Sequence, residues 1–141
     1  MIEAKENFNY TWPFNPNFFS GNGFKQHYVD EGKENNKVIL CLHGEPTWGY
    51  IYRHFIKELS KNFRVVVPDL MGFGKSETPK NKEYSLKTHV ENLENLVNYL
   101  ELKNIYFVGQ DWGGPILGAY TLRNLTNTKG CLLYTSPSPR D

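Results

Sequence analysis

Val108-Gly109-Gln110-Asp111-Trp112-Gly113-Gly114 is the stretch on which the reading of this chain turns. It lies between an apolar run, Ile105 to Val108, and a helical pattern from Gly113 to about Leu125, so it reads as a turn from strand into helix. Its spacing, Gly109-x-Asp111-x-Gly113, is that of a nucleophile elbow, where small residues on each side permit a sharp turn that lifts the central side chain above the sheet edge. At the centre stands Asp. A serine there needs a base before it attacks, whereas a carboxylate of ordinary pKa, ~3.9, is already ionised at neutral pH. Such a group can displace a leaving group from saturated carbon and form an ester. The plain alternative is that Asp beside Gly at a strand end only caps the helix. On this segment alone the two readings balance.

Two segments upstream shift the balance, because they occur in the chain order that such an elbow requires. His43-Gly44-Glu45-Pro46-Thr47-Trp48 directly follows an apolar run and precedes a helical pattern. A loop in that place supplies one backbone N–H of an oxyanion hole, the other coming from the residue after the nucleophile. Here the donors would be the N–H groups of Glu45 and Trp112. The second segment is Asp69-Leu70-Met71-Gly72-Phe73-Gly74-Lys75-Ser76. A phosphate loop is the tempting reading, but Walker A needs Gly at position 69, which is Asp, and G-x-G-x-x-G needs Gly at position 77, which is Glu. The segment reads instead as a turn beside the pocket.

The rest of the chain alternates in the same way. The first 25 residues are irregular, with Pro13, Pro16 and the Gly21-Asn22-Gly23 turn signal. His27 to Asp30 reads as a short strand, and Lys37 to Leu42 as a strand buried on both faces. Ile51, Phe55, Ile56 and Leu59 fall at helical spacing, and Phe63 to Pro68 is a short β-branched strand. Leu86, Val90, Leu93, Val97 and Leu100 make one helical stripe, with Ser85 as its N-cap. Pro115 falls in the first turn of its helix, where it is tolerated. Strands alternating with helices predict an α/β architecture: a mostly parallel sheet with helices on both faces. No strand–helix unit is expected beyond the helix at Gly113, so the sheet stops midway.

The 141 residues fit one domain, and a formal net charge of +1 gives no electrostatic reason to expect nucleic acid or an anionic membrane as partner. The first twenty residues lack a basic start followed by an apolar run, and no run reaches the roughly 18 apolar residues of a membrane span. The cytoplasm is therefore the expected location, and Asn9-Tyr10-Thr11 and Asn124-Leu125-Thr126 read as chance matches to the glycosylation pattern. Cys41, within an apolar run, reads as a small buried hydrophobe. Cys131 to Asp141, C-L-L-Y-T-S-P-S-P-R-D, looks like the translated read-through of a transposase sequencing adapter, so the expected core domain is 1–130 and 131–141 is set aside. No metal or organic cofactor is implied, because there is no ligand cluster and no dinucleotide loop.

H-G-E-P-T-W with Tyr52-Arg53, P-D-L-M-G-F-G-K-S with Pro79, and G-Q-D-W-G-G together resemble the haloalkane dehalogenases, the Asp-nucleophile branch of the α/β-hydrolases. The resemblance covers roughly residues 10 to 125, with His27-Tyr28-Val29-Asp30-Glu31-Gly32 matching the family's early strand. It implies that Asp111 attacks the carbon bearing a halogen, that the Trp112 indole N–H helps bind the departing halide, and that water hydrolyses the resulting ester. Glu45 stands where another branch of the family carries an Asn halide ligand, which implies a second halide-binding Trp in a cap domain; Trp12 and Trp48 read as packing residues instead. The implied partners are a small apolar substrate and water, and the full-length protein is expected to be a monomer. All four histidines (His27, His43, His54 and His89) precede Asp111, whereas the water-activating His and its acid partner should follow it. The expected object is thus the N-terminal part of an enzyme, able to form the ester once and then stall. Epoxide hydrolases share the nucleophile, the following Trp and the fold; a β-lactone-cleaving relative shares the elbow; a non-catalytic binding protein would keep Asp111 as a relic.

Overall fold

Burial on both faces is what makes the central strands read as unbroken apolar runs, and the computed structural model, which describes residues 1–134, shows both covers. Six strands form one sheet in the order β1-β2-β4-β3-β5-β6: β1 Asn17–Phe19, β2 Gln26–Glu31, β3 Val38–Leu42, β4 Arg64–Pro68, β5 Ile105–Gln110 and β6 Thr128–Tyr134. β3 runs parallel to β4 and β5, and β5 parallel to β6, while β1 and β2 join antiparallel at the other edge. Along β3 the side chains alternate. Val38, Leu40 and Leu42 enter one core with Val90, Leu93, Leu96, Ile116 and Leu117; Ile39 and Cys41 enter another with Trp12, Tyr52 and Ile56. Each such side chain, fully buried, is worth about 1.5–3 kcal/mol. Burial pushes the Cys41 thiol up to about 12, in keeping with its reading as a packing residue.

Three helices supply the covers. α1 (Arg53–Leu59) follows a 3-10 turn, Gly49–Tyr52, so Ile51 belongs to that turn rather than to a longer helix. α2 (Leu86–Tyr99) begins where expected, the Ser85 hydroxyl accepting from the Thr88 N–H at 3.3 Å. Its stripe is buried at Val90, Leu93 and Val97 as expected and is joined by Leu96, while Leu86 in the first turn is 41% exposed. α3 (Gly113–Arg123) is followed by a 3-10 turn at Leu125–Asn127. A Cβ on Gly113 would stand 2.1 Å from the Leu42 carbonyl oxygen, so only glycine lets α3 start this close to β3.

The sheet corrects the sequence reading at both ends. β1 lies within the stretch read as irregular, three residues being too short for an alternating pattern to show. At the other end the sheet does not stop at β5, because Thr128–Tyr134 adds a parallel strand, and Cys131 to Tyr134 of the segment set aside belong to it. Residues 135–141 of that segment lie outside the described residues. α1 lies over β2, β4 and β3, with Val108 of β5 packed at the margin of that core, and among the described residues no helix lies over β6 on that side. There Tyr106 is 44% exposed, and an apolar hollow of about 270 Å³ is lined by Ile51, Phe55, Val108, Leu132 and Tyr134, among others.

Two outcomes follow. The 141-residue chain expressed alone should self-associate through the apolar edge of β6 that is unpaired among the described residues, and Leu132→Lys should reduce this. Light scattering that shows the unsubstituted chain monomeric at high concentration would remove this expectation. Gly113→Ala should lower stability by about 1–3 kcal/mol through the clash with the Leu42 carbonyl, measured by denaturant unfolding.

Candidate functional site

Parallel pairing aligns the C-terminal ends of β3 and β5, with Leu42 opposite Gly109 in register. The two loops that leave those ends therefore meet. The turn after β5 is sharp: Asp111 has φ of 52°, in the left-handed region where a side chain costs of order 1–3 kcal/mol. Two hydrogen bonds hold it there. The Asp111 N–H donates to the Tyr134 carbonyl of β6 at 3.0 Å, and the Gly114 N–H donates to the Asp111 carbonyl at 2.9 Å. The near side is tight too: a Cβ on Gly109 would stand 2.8 Å from Leu117 Cδ1, so that side chain would have to shift.

The loop after β3 touches this turn directly. The Glu45 backbone N–H donates to Asp111 Oδ2 at 3.0 Å, across 66 residues of sequence. A Cβ on Gly44 would lie 2.5 Å from Asp111 Oδ2 and 2.6 Å from the Trp112 backbone nitrogen, so the loop can come this close only as glycine. Asp111, the Glu45 amide and the Trp112 amide are thus gathered at one place. The Trp112 side chain, at the N-terminal end of α3, is 46% exposed. Trp12 is buried, and Trp48 stacks on Tyr50 and packs against Trp12 at 4.9 Å between ring centroids, so both are packing residues.

Behind the two loops lies a buried polar cluster that the sequence reading missed. Asp69, fully buried after β4, accepts at Oδ2 from His27 Nδ1–H (2.9 Å) and the Lys75 N–H (2.8 Å), and at Oδ1 from the Gly49 N–H (2.8 Å). Ser76 Oγ donates to the Asp69 carbonyl and accepts from the His27 N–H, each at 3.0 Å. The Asp69–Ser76 loop is therefore a brace between β2, β4 and the start of the 3-10 turn. Lys75 Nζ reaches the Ala4 and Glu6 carbonyls at 2.8 and 2.7 Å, tying down the N-terminal segment, and burial pulls its ammonium below the usual range. The leucine of the same loop meets the other one: the Leu70 N–H donates to His43 Nε2 at 2.9 Å. His43 is wholly buried, and desolvation holds its pKa below the ordinary value, outweighing Asp69 and the Gly44 carbonyl, which push it up. The available signal was an aspartate following a strand, with no spacing to link it to His27. Among the described residues no three or more His, Cys, Asp or Glu are grouped to hold a metal ion, and no helix is long and apolar enough to cross a membrane.

Known proteins share this fold. Residues 37–139 match the family described as alpha/beta hydrolase fold. Haloalkane dehalogenase 2 of Mycobacterium bovis is 38% identical over 122 residues, which are 86% of this chain and 42% of that protein. The structure of the haloalkane dehalogenase DpaA from Paraglaciecola agarilytica NO2, described as tetrameric, superposes with a TM-score of 0.83 at 38% identity, covering 91% of this chain and 46% of that one. The epoxide hydrolase VrEH1 from Vigna radiata superposes with a TM-score of 0.80 at 28% identity, covering 91% of this chain and 43% of that one. The chain thus spans less than half the length of these relatives. On the match across residues 37–139, with its elbow and its loop after β3 in place, the chain belongs to the alpha/beta hydrolase fold family.

Proposed function

We propose that this chain is the N-terminal part of a haloalkane dehalogenase in which Asp111 is the nucleophile. The observation that carries this reading is the 3.0 Å bond from the Glu45 N–H to Asp111 Oδ2, in a chain 38% identical to a haloalkane dehalogenase. An Asp that only capped α3 would have no use for a second loop's amide on its carboxyl group. One Asp111 oxygen attacks the halogen-bearing carbon; the C–O bond forms, the C–halogen bond breaks, and halide leaves with the electron pair. The Trp112 indole N–H is the donor proposed for that halide. Water then adds to the ester carbonyl, the oxyanion is held by the Glu45 and Trp112 amides, and collapse releases the alcohol, restores the carboxylate and yields a proton.

Water activation falls to residues beyond this chain. His43 cannot serve, since it is buried and both its ring nitrogens are engaged by the backbone. The substrate is a small haloalkane, the full-length protein a cytoplasmic monomer, and residues 131–141 an adapter-derived tail, although residues 131–134 take part in β6. Sedimentation of the full-length protein checks the oligomeric state, a question sharpened by the tetrameric DpaA. A second reading, epoxide hydrolysis, is favoured by the similar superposition of the Vigna radiata enzyme, but at lower identity.

The test uses the full-length protein recovered from the source DNA, incubated with 1,2-dibromoethane. Bromide should be released by the wild type and by none of the Asp111→Ala protein. Ring opening of an epoxide without bromide from any haloalkane would move the assignment to the second reading.

A further inference from the structure

The amide that meets Asp111 is half of a peptide unit whose other half is fixed with unusual redundancy. The carbonyl of that Gly44–Glu45 unit accepts from the Thr47 hydroxyl at 2.8 Å, from the Thr47 N–H at 3.0 Å and from His43 Nδ1 at 2.9 Å. The tautomer follows from the other ring nitrogen. His43 Nε2 faces the Leu70 N–H at 2.9 Å and must accept, so the proton of the neutral ring sits on Nδ1 and is donated to the Gly44 carbonyl. A trans peptide is planar, with its C=O and N–H pointing opposite ways. Donors that hold the Gly44 carbonyl on one side therefore aim the Glu45 N–H to the other, at Asp111 Oδ2. Glycine at 44 has no side chain to resist rotation of this unit, and a Cβ there would strike Asp111, so the aim has to come from elsewhere.

We propose that His43 and Thr47 are positioning residues that fix the rotation of the Gly44–Glu45 peptide and so set the oxyanion donor of the site. For the reaction this rests on the dehalogenase reading above. Its kinetic consequence differs between the two steps. During alkylation the Asp111 carboxylate loses negative charge, so a donor resting on it does not speed the attack. During ester hydrolysis negative charge develops on that oxygen, and the preorganised donor lowers the barrier. Loosening the peptide should slow hydrolysis and leave alkylation unchanged or slightly faster.

The test uses the full-length protein as wild type, Thr47→Val, which keeps shape and removes the hydroxyl donor, and Thr47→Ser, which keeps the donor. His43→Gln is made alongside, but it replaces a buried ring with a flexible chain and can fail to fold, so the Thr47 pair decides. Thr47→Val should slow ester hydrolysis by roughly 10-fold, less than the about 10²–10³ of losing a donor outright. A stoichiometric halide burst should persist, and intact-mass measurement should find the alkyl group accumulated on the enzyme. Thr47→Ser should behave as wild type. Without substrate, hydrogen exchange at the Glu45 amide should quicken in Thr47→Val and stay slow in Thr47→Ser. Alkylation and hydrolysis falling together, or unchanged Glu45 exchange and hydrolysis in Thr47→Val, would overturn the proposal. A wild type that protects the Glu45 amide, with Thr47→Val losing that protection, yet takes up no alkyl group, would overturn the reading of the reaction and leave the peptide lock supported.

Discussion

The register between β3 and β5 is the constraint on which the site depends. Leu42 stands opposite Gly109, so the chain leaves both strands at the same height, and the His43–Trp48 loop meets the Asp111 turn. A slip of one residue would turn every side chain of a strand to the opposite face. It would also displace the Glu45 amide along the strand direction by about 3.3 Å, the rise of one residue, and break its bond to the Asp111 carboxyl group. The register is secured by packing rather than by the site, since Leu40 and Phe107 lie in the core beneath α2 and α3, and Ile39 and Cys41 in the core beneath α1. Gly113, pressed against the Leu42 carbonyl, fixes the start of α3 relative to both strands.

Polar burial then does what apolar packing cannot. Apolar contacts are non-directional, whereas a backbone amide that meets a carboxyl oxygen has to be aimed. The Asp69 cluster and His43 supply direction from below the loops: Asp69 anchors the Gly49 amide, and His43 spans from the Leu70 amide to the Gly44 carbonyl. Burying such groups costs several kcal/mol unless each is paired, and most of these are. His27 Nε2 has no hydrogen-bond partner, which leaves a local cost at the back of the cluster.

Much of this was legible in the sequence because it depends on short-range pattern. The β3, β4 and β5 runs, the Ser85 cap and the G-x-D-x-G turn each declare themselves within a few residues. The pairing of Glu45 with Asp111 was legible as well, since chain order and loop placement substitute for geometry in this architecture. What was not legible joins distant residues without periodicity: His27 to Asp69, Leu70 to His43, Lys75 to the carbonyls of Ala4 and Glu6. β1 was missed for its brevity, and β6 because the composition at Cys131 to Asp141 argued for exclusion even though Leu132 and Leu133 fit a strand.

The bond from the Asp111 N–H to the Tyr134 carbonyl carries a consequence for how the site fails. Edge strands open at a lower free energy than the interior of a sheet, so an outer strand can fray while the core stays closed. When β6 frays, the positive φ of Asp111 loses the restraint that the Tyr134 carbonyl supplies, and the turn is held less firmly. The geometry of the Asp111 turn thus leans on the outermost described strand, not on the interior of the sheet. The bent turn would then loosen before the fold does, and what the full-length protein's own strand in the place of Cys131–Tyr134 contributes is less the survival of the sheet than the time the Asp111 turn spends correctly bent.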